Sequence, residues 1–169
     1  MYKILGAFSI ASATVAYILS RSKLIDAEGM LDRQESEYKD SFAIPFAQKD
    51  TKVDVLKLVQ AFYTSPLFKL ERFIIKIIAD VKTSDEQIKK SNFNVGDEVL
   101  IWKVVNRTQD EVLLHWSYKG FEGSTWFKVN NGELKFGSGL PIKVGFVSTA
   151  LHQIYSRLLL FGAKRNLNK

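Results

Sequence analysis

The side chains best suited to acid–base or metal chemistry are two histidines and two pairs of adjacent acids. His115 and His152 are far apart in the chain, and neither has a second ligand or a partner base at a regular spacing nearby. Asp97-Glu98 and Asp110-Glu111 are candidate acid–base pairs, but adjacent acids before a strand are typical of turns that face water. We therefore expect no catalytic residue, no metal site and no cofactor, and we predict that the protein is not an enzyme.

Aromatic residues are the other candidates for a site, because several lie in strand-like segments. In the stretch from Glu111 to Tyr118, apolar residues alternate so that Trp116 and Tyr118 share one face. Such a group lines a hydrophobic pocket or simply forms core and sheet surface, and the sequence leaves both interpretations open. The residues of the candidate pocket are Trp116, Tyr118, Trp126 and Tyr155.

Composition limits the class of protein. The 169 residues, 46% apolar and 25% charged, suit one folded domain with a small additional segment. The absence of cysteine excludes disulfides and thiolate chemistry, and it favours a reducing compartment. The net charge is +6, but basic residues alternate with acidic ones and form no stripe with stacking aromatics. We therefore predict that nucleic acid is not a partner.

The chain begins with MYKILGAFSIASATVAYILSRSK, which has no charged residue between Lys3 and Arg21. As a helix the uncharged run from Ile4 to Ser20 is about 25 Å long, near the lower limit for crossing a bilayer. A secretory signal and a buried helix of the folded domain are the alternatives, but the continuous apolar run favours a retained anchor. The residues predicted to lie in the membrane are Ile4, Leu5, Phe8, Ile10, Val15, Tyr17, Ile18 and Leu19.

Small residues recur within the same segment, several of them four positions apart. This spacing places them on one side of a helix and lets a neighbouring helix approach closely. We therefore expect the anchor to contact other membrane helices through these positions. The residues are Gly6, Ala7, Ala11, Ala13 and Ala16.

The pattern predicts three regions: an anchor at 1–23, a charged linker at 24–39 and a folded domain at 40–169. Within the domain we expect a short strand, two helices at about 51–64 and 66–81, about five strands in all, and a long last helix at about 143–164. The fold class is α+β, with an antiparallel sheet packed on the C-terminal helix. Asn130-Asn131-Gly132 is a strong signal for a tight hairpin.

Two of the predicted helices carry apolar faces that suggest how they pack. In the second, a wide stripe that includes Leu70, Phe73 and Ile77 is expected to face the core. In the last, a seam of apolar residues three and four apart is expected to lie on the sheet: Val147, Leu151, Ile154, Leu158 and Phe161.

The second helix also has apolar residues opposite its wide stripe. Lone exposed apolar residues are common, but a second apolar face also suits a partner or lipid. The residues of this predicted partner surface are Phe68, Ile75 and Ala79.

The order strand, two helices, antiparallel strands, long helix resembles the helix-grip architecture of the START-related and polyketide-cyclase-like superfamily. Within it, the chain is similar to an uncharacterised, mostly bacterial domain family. The resemblance rests on Ala61-Phe-Tyr-Thr-Ser-Pro66 and on Leu151-His-Gln-Ile-Tyr-Ser-Arg157, and it covers about residues 40 to 165. It implies a curved sheet wrapped around the last helix and, as the superfamily's usual activity, the binding of a hydrophobic small molecule or lipid.

The sequence favours a non-catalytic function at a membrane. We expect a single-pass accessory or structural subunit of a membrane complex, in the mitochondrial inner membrane, whose partners are other subunits and membrane lipid. The grounds are the predicted anchor, the predicted partner surface and the lack of catalytic residues. The alternative is a membrane-tethered carrier of a lipid or another hydrophobic ligand, since that is what the resemblance implies.

Overall fold

The computed structural model describes residues 13–46 and 53–168, and it has the predicted α+β architecture. Residues 13–21 are helical and are labelled α1. The other helices are α2 (Gly29–Asp32), α3 (Val55–Tyr63), α4 (Pro66–Ala79), α5 (Asp85–Lys90) and α6 (Phe146–Leu167). The strands are β1 (Lys23–Ile25), β2 (Tyr38–Pro45), β3 (Glu98–Val99), β4 (Trp102–Arg107), β5 (Glu111–Tyr118), β6 (Phe121–Asn130) and β7 (Glu133–Leu140).

The seven strands form one antiparallel sheet with the order β1-β2-β7-β6-β5-β4-β3. The predicted tight hairpin joins β6 to β7: Asn130 pairs with Glu133, and the two residues between them have positive φ angles of 48° and 74°. Two consecutive positive φ angles define the turn that Asn-Gly favours, which confirms the hairpin. Strand β2 pairs with β7, so the strand before α3 lies next to the second strand of the hairpin.

The main core lies between one face of the sheet and helices α3, α4 and α6. Each of these helices supplies buried side chains that contact the same apolar cluster, among them Phe62, Phe68 and Leu160. A proline at the first position of α4 and the Ser65 side chain, which accepts a hydrogen bond from the Phe68 backbone N–H, define where that helix begins. The long C-terminal helix therefore packs on the sheet, as predicted.

The predicted linker at 24–39 contains two structural elements. Strand β1 pairs with β2, and α2 covers the opposite face of the sheet with Met30 and Leu31, which contact Leu113 and Trp126. Only Met30 and Leu31 are buried in this stretch, and two apolar residues among charged ones are hard to distinguish from a solvated segment in the sequence. Residues 24–39 thus pack on the sheet rather than separating it from the N-terminal segment.

Helix α4 is oriented opposite to the prediction. The side expected to be a partner surface faces inward: Phe68 is buried, and Ile75 packs against the core with Ala79 half-buried. The wide stripe expected in the core is exposed instead, since Leu70, Phe73 and Ile77 are each about 60% or more exposed. Both sides of the helix are apolar, and polar contacts described below hold the narrower side against the sheet.

The apolar seam of α6 also differs from its predicted position. The residues that the sheet buries are Ser156, Leu159, Leu160 and Ala163, whereas Leu151 is 64% exposed. Phe161, at the end of the seam, packs edge-on against Tyr17 of α1 with ring centroids 6.2 Å apart. Because α6 is apolar on more than one side, the regular seam does not identify the side in contact with the sheet.

The predicted membrane anchor falls partly outside the described residues. Ile4, Leu5, Gly6, Ala7, Phe8, Ile10 and Ala11 lie outside them, and Ala13, Val15, Ala16, Tyr17, Ile18 and Leu19 lie in α1. In α1, Ile18 is buried and Tyr17 is half exposed. Across residues 13–46 and 53–168, we find no helix with the length and apolar character needed to cross a membrane.

Candidate functional site

A cavity of about 190 Å³ lies between the sheet and helices α3, α4 and α6. Its lining residues come from strands β4 to β7 and from these three helices. Most of the wall is aromatic or aliphatic, and a smaller part is polar. This combination is what small-molecule sites in proteins share.

The apolar wall comes from the neighbouring strands β4 and β5 and from helices α3 and α4. Trp102 on β4 is the register partner of Trp116 on β5, so both indoles are on the same face of the sheet. The Trp102 indole N–H donates to Thr125 Oγ1 at 3.1 Å, which fixes the ring and satisfies its only donor. Phe68 packs edge-on against Trp102 with centroids 5.6 Å apart. The aromatic contacts leave a rigid, largely apolar surface along this side of the cavity.

The polar wall is formed mainly by α4 and α6. The Tyr155 hydroxyl donates a hydrogen bond to Glu71 Oε2, which connects the two helices across the cavity. Burial raises the pKa of Glu71, although the hydrogen bond from Tyr155 and the neighbouring His152 act in the opposite direction. Glu71 forms no ion pair in the described part of the chain, since Arg72 pairs with Asp85 and His152 lies beside Asp40. The carboxyl group is thus held by one hydroxyl at a site where its charge is costly.

A second polar group lies on the β2 side of His152. The buried side chain of Asp40 accepts a hydrogen bond from the Tyr38 hydroxyl at 2.7 Å, and its Oδ2 is 3.5 Å from His152 Nε2. The Tyr38 and His152 rings meet edge-on with centroids 5.9 Å apart. The other oxygen, Asp40 Oδ1, is buried and has no hydrogen-bond partner among residues 13–46 and 53–168.

The hydroxyl of Tyr63 is the most unusual polar atom of the cavity. Tyr63 is fully buried, and its hydroxyl lacks a hydrogen-bond partner among the described residues. Burial raises the pKa of this phenol well above its usual value, and the nearby Glu71 raises it further. An unpartnered buried hydroxyl costs about 1–3 kcal/mol, so a polar group that filled the cavity and bonded to it would be stabilised.

His152 does not complete a nucleophilic relay. The same ring atom, Nε2, lies 3.5 Å from Asp40 Oδ2 and 3.4 Å from Ser156 Oγ. A relay needs the carboxylate on one ring nitrogen and the hydroxyl on the other, since the proton crosses the ring from one side to the other. The arrangement therefore suits binding of a polar group better than activation of Ser156.

The other candidates for acid–base or metal chemistry lie elsewhere. His115 is partly exposed on β5, 3.8 Å from Glu122 and away from the cavity. Glu111, expected in a turn facing water, is buried on the α2 side of the sheet. Among the described residues, no group of three or more His, Asp or Glu side chains has a geometry that could hold a metal ion.

The structure brings together two of the four residues expected in the pocket. Trp116 and Tyr155 line the cavity. Tyr118 lies beyond its edge, where its hydroxyl donates to the Ile78 carbonyl oxygen at 2.5 Å. Trp126 is on the opposite face of the sheet, because strand alternation directs it toward α2, and its indole N–H donates to Glu111.

Several cavity residues were not singled out from the sequence. Glu71 and Tyr63 lie on helices whose apolar spacing drew attention to other positions. Asp40, which lies in β2 beside the cavity residue His152, is one acid among many in the sequence. The sequence did contain one signal for Glu71, because its spacing places it on the same side of the helix as Phe68 and Ile75. A lone acid on an apolar helix side is a candidate for a buried functional carboxyl.

Fold and cavity together define an α+β protein with a small, mixed apolar and polar cavity between an antiparallel sheet and its covering helices. No family model, no curated protein sequence and no solved structure matches the chain significantly. The inference about function therefore rests on the geometry of the cavity and of the surface.

Proposed function

We propose that the protein is a non-catalytic binding protein for a hydrophobic or amphipathic small molecule, which it holds in the cavity between the sheet and helices α4 and α6. The observation that carries this proposal is the cavity of about 190 Å³, with its aromatic wall and the polar group formed by Glu71, Tyr155 and His152. The resemblance to the helix-grip superfamily, which is likewise a proposal, points in the same direction.

The cavity suggests the size and polarity of the ligand. It is smaller than the roughly 300–1,000 Å³ of sites for drug-sized molecules, so it suits a small amphipath or one end of a longer lipid. The aromatic wall favours an apolar portion, and the unpartnered Tyr63 hydroxyl favours a polar atom close to α3. A ligand group that bonds to Tyr63 would satisfy a lining side chain that has no hydrogen-bond partner among the described residues.

The experiment is to purify the full chain and identify co-purifying small molecules by native mass spectrometry, followed by isothermal titration calorimetry with decanoic acid as the probe. Ser138, which is buried on β7 and lines the cavity, is replaced by leucine to fill the space. Ser148, exposed on α6, receives the same change as a matched control. We expect Ser138→Leu to weaken probe binding at least tenfold and Ser148→Leu to leave it unchanged. Equal binding by both variants, or no binding by the unmodified protein, would reject the proposal.

A second candidate function is that of an accessory subunit in a membrane complex, with the mitochondrial inner membrane as the proposed location. The observation that favours it is the exposed apolar side of α4, since unpartnered apolar surface is typical of protein or lipid contacts. Native gels of detergent-solubilised cells test it, because a subunit migrates with a large complex and a carrier migrates alone. Fractionation of the cell tests the location separately.

A further inference from the structure

Helix α4 exposes an unbroken row of large apolar side chains. Phe73, Ile74, Ile77 and Ile78 are between 49% and 67% exposed, and they occupy its C-terminal half. Single exposed apolar residues need no explanation, but a continuous patch on one helix does.

The start of α6 adds to this patch. Helices α4 and α6 are antiparallel, because Ser65 at the start of α4 lies near Gly162 toward the end of α6, and Glu71 bonds to Tyr155. The C-terminal half of α4 and the N-terminal end of α6 are therefore at the same end of the molecule. At that end Phe146 is 88% exposed.

The turn between β5 and β6 reaches the same end. Tyr118 bonds to the Ile78 carbonyl oxygen, which fixes the turn beside α4. Ser124 pairs with Gly139 at this end of the β6–β7 ladder, and Phe121 and Ile142, each three residues beyond that pair, are both more than half exposed. We call this surface the apolar end and define it by six residues: Ile74, Ile77, Ile78, Phe121, Ile142 and Phe146.

Lysines surround the apolar end. Lys76, Lys82, Lys119 and Lys143 are all exposed, and in the described part of the chain none of them forms an ion pair. The acids in the same segments are fewer, namely Asp80 and Glu122, of which Glu122 is 3.8 Å from His115. The edge of the patch is thus net positive.

We infer that the apolar end lies on an anionic lipid bilayer. Its side chains come from three separate segments and protrude at a helix start and a turn, so they suit insertion at the boundary between head groups and acyl chains. Lysines at the edge extend their apolar stems over this boundary and place their charges among anionic head groups. This inference does not depend on the predicted anchor or on a ligand in the cavity.

The absence of cysteine allows each position to be tested separately by a single labelled cysteine. Ile77→Cys and Phe146→Cys report on the apolar end, and Val95→Cys, 63% exposed next to β3, is the matched control. Each full-length variant carries the dye NBD and is mixed with vesicles of phosphatidylcholine alone or with phosphatidylserine. We expect blue-shifted, brighter emission at 77 and 146 only with the anionic vesicles, reversed by high salt, and no change at 95.

A sedimentation experiment completes the test. The double variant Ile77→Asp with Phe146→Asp is expected to bind anionic vesicles at least tenfold more weakly, whereas Val95→Asp with Val105→Asp binds normally. Water-like emission at 77 and 146 in protein that sediments with vesicles would show attachment through another segment and overturn the inference. Shielding of these dyes without vesicles would overturn it too. If this shielding increased with protein concentration, a second copy of the protein would cover the apolar end. If it did not depend on concentration, another part of the same chain would cover it.

Discussion

Replacing Glu111 by alanine tests how α2 is held on the sheet. The Glu111 carboxylate, only 9% exposed, accepts hydrogen bonds from the Met30 backbone N–H at 2.8 Å and from the Trp126 indole N–H at 3.0 Å. Its other oxygen is 3.0 Å from Lys128 Nζ. Three groups, one from α2 and two from β6, thus depend on one side chain of β5.

The expected loss follows from these contacts. A hydrogen bond to a charged acceptor contributes about 1.5–3 kcal/mol, and two of the donors would be left buried without an acceptor. Because neighbouring contacts are not additive, we expect Glu111→Ala to lower the free energy of unfolding by about 3–5 kcal/mol. Lys128 keeps Glu28 as a partner at 3.3 Å, so its contribution to the loss is small. Glu111→Gln retains one acceptor oxygen, and we expect it to lose about half as much.

Because of these contacts, the free energy of unfolding that Glu111→Ala loses is expected to depend on pH. Burial by itself raises the pKa of Glu111, but the hydrogen bonds from Met30, Trp126 and Lys128 outweigh it and hold the pKa below its usual value. In the unfolded chain the pKa is about 4.3, so the stabilisation is complete above that pH and disappears as pH falls through the folded-state pKa. The difference between the unmodified protein and Glu111→Ala should therefore shrink below about pH 4.

Urea unfolding, followed by tryptophan fluorescence and by far-ultraviolet circular dichroism, measures the change. Glu98→Ala is the matched control, since that glutamate begins a strand but its side chain is 68% exposed. We expect the control to lie within about 0.5 kcal/mol of the unmodified protein. If Glu111→Ala were no less stable than Glu98→Ala, the assignment of Glu111 as the residue that attaches α2 would be refuted.

Three further predictions concern the interior. Gly137→Ala would place a methyl group 2.8 Å from the Asp40 backbone oxygen, so we expect a loss of about 1–3 kcal/mol in urea unfolding, whereas Gly162→Ala, with 3.7 Å of space, is neutral or stabilising. Ser65→Ala removes the cap of α4 and should cost about 1 kcal/mol in thermal unfolding. Burial raises the pKa of Glu71, so the carboxylate destabilises the fold as pH rises through that pKa. The free energy of unfolding of Glu71→Gln minus that of the unmodified protein should therefore be larger at pH 7 than at pH 4. The same difference at both pH values would contradict this.

The sequence was sufficient for features that depend on local chemistry. The tight hairpin follows from Asn131 and Gly132, which tolerate positive φ angles, and the start of α4 follows from Ser65 and Pro66. Strand alternation correctly grouped Trp116 with residues of the inner face. These features need only the neighbours of a residue in the chain.

The sequence was not sufficient for features that depend on distant partners. Tyr155 and Glu71 are 84 positions apart, and nothing near either residue indicates that they meet. Glu111 was interpreted as a turn residue because an adjacent acid accompanies it, although its partner Met30 is 81 positions away. Long-range pairing of this kind has no periodic signal along the chain.

Helix α4 shows why the widest apolar stripe is not always the buried one. Arg72 pairs with Asp85 at 2.8 Å and Glu71 bonds to Tyr155, and both contacts require the narrower side of α4 to face the sheet. The orientation leaves five large apolar side chains about half exposed or more. At about 1.5–3 kcal/mol for each side chain when fully buried, covering them would release roughly 4–9 kcal/mol. That free energy is not used in folding, and it is available to whatever surface binds α4, which is why the orientation of this helix bears on function as well as on stability.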